Sequence, residues 1–371
     1  MTDEKQYKGA VSTARQLCDA MGYPESEVER YDRIIEHFPM LITPYYLSLI
    51  DKNDPDDPIA RMCIPSDAEL STTGSFDTSG EKLNTKQEGV QHKYAQTALI
   101  LSTNVCATYC RYCFRKRLVG ISEDELAKQA EDTVKYVKAH PEITNVLVSG
   151  GDPLMNPNRI IKSYLEGLSA VDTLDFIRFG SRVPVTCPQR IYDDKELLDM
   201  FAEYAKKKTL YLITQFNHPR EITEESVKAV RCMQERGIQV RNQTVLLRGV
   251  NDDPKVLGEL LRKFTRISVV PYYIFQCRPV TGVKERFQVP LLEGVKIVDA
   301  AKNMQNGPGK AVRYAMSHPL GKIEILGELS EGEMLFKFHQ SKYPKNASRI
   351  FTVKLSPDTA WLDDDLTPLK K

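Results

Sequence analysis

The period of the apolar positions changes near residue 97. Upstream, apolar residues recur at helical spacing over 7–21 and 27–38, the pattern of a helix that buries one face. Ser26 is the expected N-cap of the second helix, because Glu29 three residues on would complete a capping box. The stretch 51–58 is rich in Asp and Pro and reads as an ordered turn or exposed linker. The polar, glycine-containing stretch 72–91 reads as a long surface excursion, either a flexible loop or a lid over a site. Downstream, short β-branched runs alternate with amphipathic stretches. The runs are 98–103, 145–149, 175–180, 209–214, 239–246 and 268–275, and helical patterns fall at 123–139, 160–168, 194–207, 224–236 and 254–264. Six strand–helix repeats predict a parallel sheet that closes, or nearly closes, into a barrel. An eightfold barrel needs two more units than the pattern supplies. The expected fold is therefore α/β: a helical N-terminal region and linker (1–91), a partial (β/α)6 TIM-like barrel (92–305) and a C-terminal extension (306–371). In that extension Phe336, Phe338, Tyr343, Phe351 and Trp361 are the expected anchors on the barrel or a partner subunit.

Composition narrows the class. A net charge of +1 over 371 residues argues against a polyanion partner such as nucleic acid. No apolar run approaches a membrane span, and eight cysteines without a signal-peptide pattern suit a reducing compartment. The expectation is a soluble, cytoplasmic protein. Cys18, Cys63, Cys187, Cys232 and Cys277 are isolated from one another and read as small buried hydrophobes.

The remaining three form a group. Cys106, Cys110 and Cys113 are spaced C-x3-C-x2-C directly after the first predicted strand. Three thiolates at this spacing can each hold one iron of a [4Fe–4S] cube, leaving the fourth iron open. A structural zinc site wants four ligands in C-x2-C pairs or a nearby His pair, which are missing, and simple reduced thiols are the remaining reading. Other notable residues fall at the carboxyl ends of the predicted strands, where barrel enzymes collect function. These are Ser149-Gly150-Gly151-Asp152, Gln215 with Asn217-His218-Pro219, Asn242-Gln243, and the run from Tyr272 to Arg278. His218 could line a pocket or satisfy a core hydrogen bond, and Asn306 to Lys310 lacks phosphate-loop spacing and reads as a turn.

The cysteine spacing, with Tyr112 before the third cysteine, resembles the radical S-adenosylmethionine (SAM) signature. That resemblance implies a [4Fe–4S] cluster on the three cysteines, SAM on the open iron, and release of a 5′-deoxyadenosyl radical. It also implies a SAM contact for Ser149, Gly150, Gly151 and Asp152. A closer resemblance, to the lysine 2,3-aminomutase family, covers most of the chain. It rests on ordered blocks: Phe38-Pro39-Met40, Ile42-Thr43-Pro44-Tyr45-Tyr46, the cysteine loop, Pro188-Gln189-Arg190-Ile191, Phe216-Asn217-His218-Pro219, Leu246 to Asn251, and Pro271-Tyr272-Tyr273. Family members move an amino group from carbon 2 to carbon 3 of an amino acid, using pyridoxal 5′-phosphate (PLP) as an imine beside the radical.

The resemblance implies a catalytic lysine at Lys322, which would carry PLP, with Gln215, Gln243, Lys93 and Tyr94 among the cofactor contacts. It assigns Arg115 to the substrate carboxylate, a bidentate task that suits guanidinium. Departures are equally specific. The glycine run before the lysine is reduced to Gly321, and family arginines that hold the PLP phosphate become Lys93 and Thr97. The two acidic positions that receive the ε-ammonium of lysine align with Arg278 and Ala315. A guanidinium there would repel a cationic side chain, so the expected substrate is an acidic or neutral amino acid, with Arg278 as receptor for a side-chain carboxylate. The family further implies an external reductant such as flavodoxin or ferredoxin and a homo-oligomer. Rival readings are a PLP-free radical SAM enzyme and a non-catalytic iron–sulfur protein.

Overall fold

The computed structural model describes residues 8–369. One twelve-stranded sheet runs through it with its strands in sequence order. Strands β1 (Thr85–Gln87) and β2 (Val90–Tyr94) form an antiparallel hairpin at one edge. Seven parallel strands follow: β3 (Thr97–Leu101), β4 (Asn145–Ser149), β5 (Phe176–Gly180), β6 (Thr209–Thr214), β7 (Gln239–Leu246), β8 (Val270–Gln276) and β9 (Arg313–His318). An antiparallel meander of β10 (Gly321–Ser330), β11 (Glu333–Ser341) and β12 (Ile350–Lys354) completes the other edge.

Helices Ala130–Ala139, Asn158–Ser169, Lys195–Ala205, Glu224–Gln234, Pro254–Arg266 and Leu291–Asn303 carry the chain between successive parallel strands. Each crossover advances the sheet by one strand in one direction. Right-handed crossovers of this kind wrap a sheet around itself instead of reversing it. Six β/α units give the expected partial barrel, and β9 adds a seventh parallel strand. The sheet continues through 91/92, inside β2, and β9 joins the parallel array beyond 305/306. Among the described residues no helix is long and apolar enough to cross a membrane.

The N-terminal helices differ in detail from the expectation. The first is Ala14–Met21, with a reciprocal cap between Thr13 and Gln16; Tyr7 of the expected 7–21 span lies outside the described residues. Ser26 is not an N-cap. It sits within a 3-10 turn, Glu25–Glu27, that follows Pro24 and feeds directly into Val28–His37, so no extended residue precedes that helix. The expected helix over 123–139 begins only at Ala130, because Ala127 gives its N–H to Leu101 O (2.9 Å) and packs on Gly89. The stretch 72–91 is no simple excursion: Ser79, Glu81, Asn84 and Gln91 are buried and line the barrel interior. Of the C-terminal aromatics, Phe336, Phe338 and Trp361 are buried against the core, whereas Tyr343 is exposed.

Candidate functional site

The inner face of the barrel encloses a cavity of about 680 Å³. Side chains reach it from alternate strand positions: Thr97 and Leu99, Asn145, Leu147 and Ser149, Phe176 and Arg178, Tyr211 and Ile213, Arg241, Gln243 and Val245. Cys106, Cys110, Cys113, Gly150, Gly151, Asp152, Gln215, Lys93, Tyr94, Arg115, Arg278 and Lys322 line the same space. The structure therefore brings every residue singled out for cluster, cofactor or substrate into one cavity. His218 is not among its lining residues, and its ring nitrogen Nδ1 accepts from Arg220 N to cap the turn Pro219–Glu221.

The cysteine loop follows β3 and is held from outside the barrel. Tyr109 N donates to Leu41 O and Arg111 N to Met62 O, both at 2.8 Å. The fully buried Arg111 guanidinium bonds Pro39 O (2.8 Å), Phe38 O (3.1 Å) and the carboxylate of Glu69, which also takes Lys116 Nζ at 2.6 Å. The N-terminal helices thus serve as a clamp on this loop. Cys106, Cys110 and Cys113 are free and partly exposed, whereas Cys18, Cys63, Cys187 and Cys277 are free and buried. Among the described residues no three ligating side chains converge as a single metal ion would require; the three thiols instead share the cavity wall, a donor set that suits a cube. Burial pushes the Cys113 thiol up to about 11 and Cys106 well above the usual thiol range. Iron must therefore displace protons as it binds. Arg182 Nη1 donates to Cys110 Sγ at 3.0 Å, while its other nitrogens reach Tyr46 Oη and Gln215 O, both at 3.0 Å, and Glu221. The sequence reading missed Arg182.

Gly150 has φ of +111°, and a Cβ there would lie 2.3 Å from Thr103 O; at Gly151 it would lie 2.4 Å from Val105 O. Gly151 N and Asp152 N donate to those same carbonyls at 2.6 and 2.7 Å. The close approach that this glycine pair permits is thus to the backbone opening the cysteine loop. Asp152 accepts from Leu154 N (3.1 Å) and Arg182 N (2.7 Å), and burial raises its carboxyl to about 6.

Around the rest of the cavity, basic side chains outnumber acidic ones. Lys93, Arg115, Arg178, Arg182, Arg241, Arg278 and Lys322 stand against Glu81 and Asp152. Glu81 pairs with Arg115 (3.2 Å) and Arg117 (2.8 Å). Arg115 Nη1 also contacts Ser149 Oγ (3.3 Å) and Gly150 O (3.4 Å). Arg278 lies 4.1 Å over the Phe114 ring, and its Nη1 is buried without a hydrogen-bond partner. Burial, with Arg115 opposing as well, pushes that guanidinium down to about 10. Lys322, on β10, holds Nζ 4.2 Å from the Tyr273 ring centroid and 5.4 Å from that of Phe275. Burial, reinforced by Arg178, Arg278 and Arg313, brings its amine down to about 7, where an uncharged nucleophile is available near neutrality. Lys93 Nζ is engaged by His318 O (2.5 Å) and Ser79 O (3.3 Å). Tyr94 Oη and Thr214 Oγ1 are buried polar atoms without partners, as in a wall awaiting a polar ligand.

Comparison with known proteins agrees with this geometry. Residues 100–261 match the Radical SAM superfamily. The chain is 41% identical over 343 residues to an Aquifex aeolicus protein provisionally named L-lysine 2,3-aminomutase, covering 92% of this chain and 91% of that one. It is 36% identical to the L-lysine 2,3-aminomutase of Clostridium subterminale, over 81% of this chain and 72% of that one. It is 34% identical to the glutamate 2,3-aminomutase of Clostridioides difficile, over 81% and 71% respectively. A three-cysteine loop at the mouth of a partial barrel, carried on a chain this similar along most of its length, belongs to the lysine 2,3-aminomutase family of radical SAM enzymes: an isomerase of the amino acid 2,3-aminomutase type that works with a [4Fe–4S] cluster and SAM.

Proposed function

We propose that the enzyme moves the amino group of a non-cationic amino acid from carbon 2 to carbon 3, with an acidic amino acid such as glutamate as the best fit. The observation that carries this reading is Arg278. Its guanidinium faces the cavity with a buried, unpartnered nitrogen, and the neighbouring Glu81 is already committed to Arg115 and Arg117. A lysine side chain entering here would meet a fixed positive charge and no free carboxylate, whereas a carboxylate would satisfy the open donor. The likeness to a glutamate 2,3-aminomutase is in keeping with this.

SAM on the reduced cluster would supply a 5′-deoxyadenosyl radical, and PLP would supply the electron sink beside the migrating nitrogen. The chain's own residues do the rest. Cys106, Cys110 and Cys113 hold the cluster, and Gly150 to Asp152 shape the adjoining wall. Arg115 and Arg278 supply the cations for the two carboxylates of an acidic substrate in the cavity that the three cysteines also line. Lys322 offers an uncharged amine for PLP, with Tyr94 and Gln243 on the surrounding wall.

The test is anaerobic reconstitution with SAM, PLP and a chemical reductant, followed by mass spectrometry of products from L-glutamate, neutral amino acids and L-lysine. β-Amino acid from glutamate or a neutral substrate is expected. Turnover of L-lysine as a genuine substrate, with none of the others, would overturn the assignment. Borohydride trapping and peptide mapping should place a reduced pyridoxyl group on Lys322; SAM cleavage without any such adduct under PLP saturation favours PLP-free hydrogen abstraction instead.

A further inference from the structure

The strand wall of the cavity carries two further guanidiniums, those of Arg178 and Arg241. Arg178 is the third residue of β5 and Arg241 the third of β7, with Tyr211 of β6 between them. All three line the cavity; Arg178 pairs in register with Tyr211, and Arg241 with Ile213, two residues further along β6. Arg241 Cζ lies 4.6 Å from the Tyr211 centroid and 5.3 Å from that of Tyr272. Arg178 reaches Asn145 Oδ1 at 2.5 Å, and Asn145 Nδ2 in turn donates to Thr97 Oγ1 at 3.1 Å. Neither guanidinium is in an ion pair among the described residues, and the Nε of each is buried with no partner. Each depresses the neighbouring basic groups: Arg241 acts on Arg178, and Arg178 on Lys322. Two guanidiniums with orphaned donors that act on one another across one enclosed space are costly unless an anion joins them.

The two positions at which the family resemblance puts phosphate-holding arginines are both tied up in this chain. Lys93 spends its ammonium on two backbone carbonyls, and Thr97 shares its hydroxyl with Asn145. We infer that Arg178 and Arg241 form a phosphate-binding site on the strand wall of the cavity, and that they hold the phosphate of PLP in place of those lost contacts. The second clause rests on the PLP reading proposed above; the first does not.

The experiment compares PLP with pyridoxal, which differs only in lacking phosphate. Labelling of Lys322 is measured by borohydride trapping and peptide mass spectrometry across a concentration series of each aldehyde, so no turnover is needed. Wild type should label at PLP concentrations about ten- to a hundredfold below those needed for pyridoxal, and inorganic phosphate should compete with PLP alone. Arg241→Ala should erase most of that preference and leave the pyridoxal curve in place, Arg241→Lys should keep part of it, and Arg178→Gln should erase most of the preference while shifting both aldehyde curves together through its effect on Lys322. An unchanged PLP-to-pyridoxal ratio in both variants overturns the site. If wild type takes neither aldehyde, the PLP reading fails and inorganic phosphate alone becomes the probe. Concentration-dependent protection of wild type from thermal unfolding, absent in Arg241→Ala, then supports the anion site, and no protection of wild type overturns it.

Discussion

Replacing Arg278 with methionine should make the protein more stable and its chemistry worse. Methionine keeps most of the side chain's length and apolar body while removing the charge. Burial brings the Arg278 guanidinium down to about 10, and each pH unit of such a displacement corresponds to about 1.4 kcal/mol. Keeping the cation in place below that pH therefore costs the folded state about 3 kcal/mol. Part of this is returned by the contact with Phe114 at 4.1 Å, about 2 kcal/mol for a desolvated pair. The net expectation is a gain of about 1 kcal/mol, or about 1–2 °C in Tm for a chain of this length. The sign with pH follows from the same displacement. The unfolded arginine binds its proton more tightly than the folded one, so the penalty is present and constant throughout the neutral range.

Denaturant titration and thermal unfolding of substrate-free Arg278→Met read the stability; product formation from glutamate reads the function. If Arg278 receives the side-chain carboxylate, kcat/KM for glutamate should fall by about a hundredfold or more, since a buried charge-assisted pair is lost. Arg278→Lys should recover part of it. A variant that loses stability and keeps its glutamate activity would identify Arg278 as a structural cation and remove the main support for a non-cationic substrate.

Three further outcomes are expected. Pyridoxal labelling of Lys322, followed by peptide mapping, should rise to half its plateau near pH 7, because burial and three guanidiniums lower its amine to about that value; a midpoint above pH 9 would show an ordinary exposed lysine. Glu69→Gln should destabilise the fold by about 3–5 kcal/mol in urea titrations by leaving Arg111 and Lys116 buried without their partner, and should lower iron retention with it. The Glu69 carboxyl is held below its usual range by those cations, so its contribution is present above that range and is lost as pH falls through the depressed value; a loss under about 1 kcal/mol would refute the clamp. Arg182→Lys removes the fork that reaches both Glu221 and Cys110. Because a donor on Cys110 favours the more negative reduced cluster, the midpoint potential followed by electron paramagnetic resonance should drop by about 50 mV, and an upward shift would contradict that role.

Six of the seven parallel strands are legible because each carries a short run with β-branched or aromatic residues between helical patterns. Strands 145–149, 209–214 and 239–246 match the pattern residue for residue. Helix Leu291–Asn303 was not, since Gly294 interrupts its apolar face to make room for the Tyr314 hydroxyl. Strand β9 was missed because its apolar run, Tyr314-Ala315-Met316, is short and has no β-branched residue, and its place is decided by pairing with β8. Ser26 looked like a cap because the motif is local, whereas the preceding turn that displaced it depends on Pro24.

The candidate site divides in the same way. Cys106, Cys110 and Cys113 announce themselves by spacing, but Arg178 and Arg241 are the single charged residues of their strands, and only the inward side of the pleat gives them meaning. What separates them from the other buried arginines is satisfaction. Arg111, Arg182 and Arg190 each have a carboxylate partner and several acceptors, and each ties loops together. Arg178, Arg241 and Arg278 have orphaned nitrogens and line a cavity. A fold gains nothing from three unpaired guanidiniums in one enclosed space, so the cost they impose is sensible only if anions regularly fill it. Two carboxylates and a phosphate, the charges of an acidic amino acid beside PLP, are the anions that would balance this wall together with Arg115.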